Sequence, residues 1–323
     1  MLWKRTPRII RRAFLGVAGV ALVLLVVLLA IKWWSDAHYY DGYDGALPLN
    51  VTIREEAERQ GYLRTEFMFD GLAGQPVPAI LITPKSDDEP WPCAVFLHGI
   101  GQKKEYVDKI AQPLVDAGFA LATFDQYTKG ERRLDDPSPL DELIALRRRG
   151  ALTVNETRRL VDFLQTRPDI AHDRIYMLGA SYGAITGSTA VAFEKRIRAA
   201  VLCYGGGDLP VLLASDAVRN ELGAWATGLV TPIAAFLLSP ADPIHHVAGI
   251  ASRPVLFQNG KHDCLIPIAA AQALFDAAQE PKEILWYDSD HVGLDPEHTA
   301  QVLDDAVAWL LRQEASQQPS AAT

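Results

Sequence analysis

Cysteine is scarce: the 323 residues include three, Cys93, Cys203 and Cys264, an odd number set far apart. That spacing offers no disulfide framework, and no CxxC pair or His-rich run supplies ligands for a structural metal. Cys93 and Cys203 fall in apolar runs, 92–97 and 199–204, where a thiol serves as a small buried hydrophobe. No internal repeat is present, which excludes a solenoid or propeller array. Acidic residues are absent from residues 1–31, which hold Lys4, Arg5, Arg8, Arg11 and Arg12. The rest of the chain carries 26 basic against 40 acidic residues, and phosphate backbones repel so acidic a body. Nucleic acid is therefore excluded as a partner, and no pattern calls for a cofactor or a metal ion.

What is present is ordinary globular composition, with 49% apolar and 22% charged residues. A chain of this length can bury a core large enough to stand without staples, as one large domain with an appendage.

The appendage is N-terminal. Ala13 to Ile31 is a 19-residue stretch without a charge. As a helix it rises about 28 Å, close to the roughly 30 Å of a bilayer's hydrocarbon. Five basic residues precede it, and Trp33 and Trp34 follow at interfacial depth. A helix in a soluble core would keep a polar face, and this one has none. We expect a basic cytoplasmic segment over 1–12, a transmembrane signal anchor over 13–34 and an extracytoplasmic body, periplasmic in a bacterium. A cleaved signal at Ser35-Asp36-Ala37 is the alternative, as is twin-arginine export through Arg11-Arg12. Residues 35–61, rich in Gly, Asp and Tyr, read as a tether, and 315–323 as a tail.

From residue 62 to 314 the chain alternates between strands and helices. Short apolar strands at Ala94–Leu97, Phe119–Phe124, Arg174–Leu178, Ile197–Tyr204, Pro254–Gln258 and Glu283–Tyr287 are separated by segments of helical period. One of those, Leu140–Gln165, takes Asn155 as an N-cap and sets Glu156 and Asp162 on a polar face. Strands this apolar require a mostly parallel sheet covered on both faces, an α/β fold. Ligands bind such sheets at the carboxyl ends of the strands.

Four of those ends carry chemistry. Gly179-Ala180-Ser181-Tyr182-Gly183 joins a strand to a helix, and a nucleophile on so sharp a turn needs the small residues Gly179 and Gly183 beside it. Composition alone yields this pattern roughly one time in ten, so its place between strand and helix is the stronger signal. Serine needs a base, and of eight histidines only His291 lies in a loop directly after the last strand. His298 reads as a surface residue at the start of the last helix, and His262 precedes the acid on its loop. Asp263, just beyond the penultimate strand, is the orienting acid, with Asp208 as the alternative and Asp290 pointing elsewhere. His98-Gly99-Ile100-Gly101 ends an early strand, so the amides of Ile100 and Tyr182 are the candidate oxyanion donors and His98 shapes the loop.

These residues, in this order, resemble the α/β-hydrolase superfamily. The HGIGQKKE loop, the RRLVDFLQTRPDI helix and RPVLFQNGKHDCLIP resemble its dienelactone-hydrolase-like and prolyl-oligopeptidase-like branch. The resemblance implies Ser181, Asp263 and His291 as a triad, and a helical, lid-like insertion over 205–252. Many relatives have a further glycine where this chain has Ala184, and dienelactone hydrolases proper use a cysteine nucleophile. The expected activity is hydrolysis of a small-molecule acyl ester by a membrane-anchored serine hydrolase. An exported acyl- or aminoacyl-peptidase is the nearest rival, and a silent binding protein on the same scaffold is another.

Overall fold

The computed structural model describes residues 8–86 and 88–316, in two compact units, Met1–Asp41 and Gly42–Thr323. The first seven residues of the basic segment and the tail from 317 lie outside the described residues. In the first unit, α1 runs over Arg8–Ala37, and its apolar side chains from Phe14 to Ile31 are exposed all round.

The second unit is built on a sheet of nine strands among the described residues, in the order β1-β2-β3-β5-β4-β6-β7-β8-β9. β1 (Thr52–Arg59), β2 (Tyr62–Asp70) and β3 (Pro76–Pro84) form an antiparallel edge, and β3 pairs antiparallel with β5 (Ala120–Phe124). β4 (Trp91–Leu97), β5, β6 (Ile170–Ala180), β7 (Ile197–Cys203), β8 (Val255–Gly260) and β9 (Lys282–Tyr287) are mutually parallel. β4 and β5 are buried throughout, and β6 from Ile175 to Gly179, β7 from Ala199 to Cys203 and β8 are buried as well, which is why these stretches are mostly apolar.

The helices are α2 (Val107–Asp116), α3 (Pro139–Leu164), α4 (Tyr182–Phe193), α5 (Leu209–Leu212), α6 (Asp216–Leu222), α7 (Ala224–Leu238), α8 (Ile268–Ala277) and α9 (Pro296–Ala315). α2 and α9 bury Val107, Ile110, Leu114, Val302, Ala306 and Trp309 in one core with Phe96, Leu178 and Val201 of the sheet. α4 is buried on nearly every side, as a helix flanked by α3 and the sheet must be.

Register brings the strand ends level. Leu97 of β4 pairs with Gly179 of β6, Ala180 with Cys203 of β7, Cys203 with Gln258 of β8, and Gly260 with Tyr287 of β9. Every loop that carries a candidate residue therefore leaves the sheet at one edge.

Three expectations are corrected. The stretch 35–61 is not a bare tether: from Gly42 it belongs to the second unit and contributes β1. Its carbonyls at Leu47 and Pro48 accept from Arg159, whose side chain is fully buried, and the Tyr43 hydroxyl donates to Asp162. α3 is one continuous helix capped by Ser138 in a reciprocal box with Asp141, so Asn155 is an interior residue rather than a cap. Glu156 sits on no polar face. It is completely buried and held by both terminal nitrogens of Arg132, at 2.6 and 2.7 Å.

Candidate active site

Ser181 occupies the turn between β6 and α4 with φ 55° and ψ −120°. A left-handed φ is strained for a residue with a Cβ, by about 1–3 kcal/mol, and persists only where its surroundings enforce it. Here the Ser181 N–H donates to the Cys203 carbonyl at 2.8 Å, and its own carbonyl accepts from Ala184 and Ile185. The flanking glycines are demanded by contact. A Cβ on Gly183 would lie 1.9 Å from the Leu97 carbonyl oxygen, and one on Gly179 would lie 2.5 Å from the Gly183 oxygen. Ala184 is accommodated because Gly205 faces it; a Cβ there would come within 2.8 Å of the Ala184 methyl.

The three strand-end residues meet. His291 Nε2 is 2.9 Å from Ser181 Oγ, and His291 Nδ1 is 2.7 Å from Asp263 Oδ2. Beside a carboxylate, Nδ1 is assigned the proton, which leaves Nε2 as the acceptor for the serine hydroxyl. The Asp263 side chain is 1% exposed, and its other oxygen accepts from the Leu265 and Ile266 amides at 2.8 and 2.9 Å. A buried carboxylate with both oxygens engaged has one orientation, so the imidazole it holds has one too. Such an arrangement can pass a proton from a serine hydroxyl to an imidazole and stabilise the imidazolium.

The HGxG loop lies against the serine. A Cβ on Gly99 would be 3.5 Å from the Ser181 Cβ. Gly99 donates to Gln102 Oε1 at 3.0 Å and accepts from the Gln102 N–H at 3.1 Å, closing a turn with Ile100 and Gly101 at its centre. The Ile100 N–H meets no acceptor among the described residues, and Tyr182 opens α4, directly after the serine. His98 is fully buried and its Nδ1 bonds the Gly99 carbonyl at 2.9 Å, a loop-shaping contact; burial holds its pKa below the ordinary histidine value. Both Gly99 and Gly101 line the cavity on which Ser181 and His291 open.

Other candidates fall elsewhere. Asp208 stands at the N-cap position of α5, its N–H donates to Asp242, and it does not line the cavity on which Ser181 and His291 open. His262 pairs with Asp288 on the surface. His298 is not a surface residue. It is half-buried, with Nε2 2.5 Å from the Tyr204 hydroxyl and its ring packed on Tyr287.

Several supporting residues escape sequence reasoning. Asp290 accepts from the Cys264 and His291 amides at 3.1 and 2.7 Å, tying the acid's loop to the histidine's; those N–H groups hold its carboxyl below the ordinary range. Tyr204, itself at φ 56°, sets its ring edge-on to His291 with centroids 5.6 Å apart. Burial pushes its phenol up to about 12, so it stays neutral. Lys104, one strand over, is buried among Asp125, Glu105, Glu131 and Glu66, and with Asp125 it joins the HGxG loop to the loop after β5. A lysine in a run as polar as Gln-Lys-Lys-Glu gives no sign of this in the sequence.

The chain resembles acetyl xylan esterase from Paenibacillus sp. R4, with a TM-score of 0.67 at 19% identity over 86% of this chain and 93% of that one. It also resembles acetyl xylan esterase 1 from Thermoanaerobacterium sp. JW/SL YS485, with a TM-score of 0.63 at 19% identity over 84% and 93%. At such identities the likeness carries the fold, which is the α/β-hydrolase fold. Among curated proteins it is 25% identical to Esterase YjfP of Escherichia coli (strain K12) over 69% of this chain and 89% of that one. It is 28% identical to the 2,6-dihydropseudooxynicotine hydrolase of Paenarthrobacter nicotinovorans over 80% of this chain and 64% of that one. Residues 144–317, more than half of the sequence and including Ser181, Asp263 and His291, match the family model for prolyl oligopeptidases, so this hydrolase belongs to the prolyl oligopeptidase family.

Proposed function

We propose that the chain is a membrane-anchored serine hydrolase that cleaves carboxylic esters through an acyl-enzyme on Ser181. The observation that carries this reading is the bonded series Asp263, His291, Ser181 at one level edge of the sheet. His291 Nε2 takes the hydroxyl proton as Oγ attacks the ester carbonyl. The Ile100 and Tyr182 amides receive the oxyanion, each well-placed donor contributing ~3 kcal/mol. The tetrahedral species collapses, the C–O bond to the alcohol breaks, and His291 returns its proton to the departing alkoxide. Water, deprotonated by His291, then attacks the acyl-enzyme and releases the acid. Ser181, His291, Asp263 and the two amides supply every step, and no residue of 205–252 lines the cavity at Ser181.

Similarity to proteins named as esterases favours an ester substrate. Membership of the prolyl oligopeptidase family favours a second reading, an acyl- or aminoacyl-peptidase with the same apparatus. A panel of p-nitrophenyl esters beside aminoacyl p-nitroanilides separates them. Ester hydrolysis with no amide turnover supports the first reading, and the reverse result refutes it.

The anchor is supported by the segment Arg12–Ala37, which is long and apolar enough to cross a membrane and has none of its apolar window buried. Ala224–Ile250 is also long and apolar enough, but it comprises α7 and three further short turns rather than one helix. We place the N-terminus in the cytoplasm and the second unit outside it, from the five basic residues before the span. A periplasmic reporter fused after Thr323 should be active, and a cytoplasmic one silent.

A further inference from the structure

The cavity that opens on Ser181 and His291 has a volume of about 350 Å³. It runs from the serine into the cleft between α2 and α9, over the ends of β4, β6 and β7. Phe96, Ile110, Leu178, Val302, Leu303 and Ala306 form its walls, and all but Leu303 are buried. No Asp, Glu, Lys or Arg lines it. A charged group placed there would lose its hydration and meet no partner, whereas an alkyl or aryl group would lose nothing.

We propose that this cleft is the acyl pocket: it takes the uncharged, apolar acyl group of the substrate, with α9 residues Leu303 and Ala306 setting the chain length. The proposal rests on the ester reading above and names its substrate class. The direction follows from the order of bond breaking. The alcohol must leave before water can attack, so its path lies towards solvent. The acyl group stays bonded to Ser181 Oγ through both steps, and the side of the serine walled by strand ends and two helices is where a retained group is sheltered. Volume sets the limit. At ~30 Å³ per water-sized element the cavity holds roughly a dozen, enough for an unbranched acyl chain of about eight to ten heavy atoms and too little for a long fatty chain.

The test uses the full-length protein in detergent and two opposed substitutions, Ala306→Leu to shorten the pocket and Leu303→Ala to lengthen it. Two ester series are measured: p-nitrophenyl esters from acetate to dodecanoate, which vary the acyl group, and alkyl acetates from ethyl to octyl, which vary the alcohol. A methylene gained or lost in an apolar pocket changes kcat/KM by ~10-fold or more. Ala306→Leu is expected to lower the octanoate-to-acetate ratio at least tenfold, and Leu303→Ala to raise the decanoate-to-octanoate ratio about fivefold. Neither should change the ratios within the alkyl acetates. Ratios that move in the alkyl acetate series instead would make the cleft a leaving-group site and overturn the proposal; so would ratios that move in neither series while Ser181-dependent acetate hydrolysis persists. Hexanamide, a neutral probe followed by thermal shift, needs no turnover. Stabilisation of the wild type that Ala306→Leu abolishes would support the apolar subsite even if no ester were cleaved, and that pairing would refute the ester reading alone. No stabilisation, with no chain-length dependence, would refute the pocket.

Discussion

Helices α2 and α9 and the helices of the 205–252 insertion are all rich in apolar residues, yet they turn them in opposite directions. On α9, Val302, Ala306, Trp309 and Leu310 recur at helical spacing and are buried to within 3% of exposure, facing the sheet and the cleft beside Ser181. On α7 the larger apolar side chains recur just as regularly, but outward: Trp225 is 84% exposed, Leu229 56%, Ile233 55% and Phe236 50%. Its buried stripe is Thr227, Thr231 and Ala235, with Thr231 donating to the Leu213 carbonyl at 3.1 Å. The comparison teaches that apolar content marks a helix without saying what it faces. α2 and α9 line the cleft beside Ser181, and no residue of the insertion does. An exposed apolar stripe of this kind belongs to a contact surface, not to a core.

The largest effect that sharpens this division is on the chemistry itself. Ser181→Ala should lower kcat by about 10⁵-fold or more and abolish fluorophosphonate labelling, and Asp263→Asn should cost about 10⁴-fold, by analogy with triads in other serine hydrolases. Urea midpoints of both variants should stay close to the wild type's. Retained labelling of Ser181→Ala would place the nucleophile elsewhere.

Next comes packing under the elbow. Gly183→Ala puts a methyl where the Leu97 carbonyl already is, at 1.9 Å, with backbone on both sides and no side chain to move aside. We expect a loss of about 3 kcal/mol or more in urea unfolding, together with loss of labelling. Full stability in that variant would mean that the elbow is less tightly packed against β4 than the fold requires.

The sequence made much of this legible, for identifiable reasons. The carboxyl halves of β4 to β8 are buried, so their apolar runs stand out; Ser181 and Asp263 follow two of them, and His291 follows the half-exposed edge strand β9. β1 was hidden because Thr-Ile-Arg-Glu-Glu-Ala-Glu-Arg is a solvated edge; it is a strand through its backbone ladder to β2, from Thr52 with Met68 to Arg59 with Tyr62, and side-chain pattern does not report that. Glu156 misled because a glutamate on a helix is ordinarily solvated, and its partner Arg132 lies 24 residues away in sequence. Asp290 and Tyr204 act through contacts that only the folded loops create. His298 looks exposed from its place at a helix start, but the Tyr204 hydroxyl that claims it comes from β7's end.

A smaller effect separates the site's buried loop from the solvated surface. His98 is buried under the HGxG turn, and its pKa is depressed chiefly by that burial. The folded state therefore resists a proton that the unfolded chain accepts near pH 6.5. Stability contributed by the neutral ring is complete above that pH and is lost as pH falls towards the depressed folded value. Thermal midpoints should drop between pH 7.5 and 5.5, and His98→Gln should lose less over that interval. His246, half-buried and also depressed chiefly by desolvation, contributes with the same sign, so His246→Gln should flatten the same slope. An unchanged slope in both variants would assign the acid sensitivity to other groups.

The smallest expected effect bears most directly on the insertion. Trp225→Ser and Phe236→Ser remove the two most prominent aromatic groups from the outward stripe of α7, neither of which lines the cavity at Ser181. An exposed residue has little to lose on folding, so urea stability should change by no more than ~0.5 kcal/mol. If the insertion only packs on the body, kcat/KM for acetate and octanoate esters should remain within about twofold of wild type, for the ratio between them depends on α9. If 205–252 is a lid that closes over the acyl group, the octanoate value should fall severalfold while acetate is spared, because only the longer chain would reach the lid. That outcome would join the two regions into one substrate site and make the outward stripe the inner face of a closed form. A selective loss in detergent-free bilayers, absent in detergent, would point instead to contact between α7 and lipid, and would explain an apolar stripe facing away from both core and cleft.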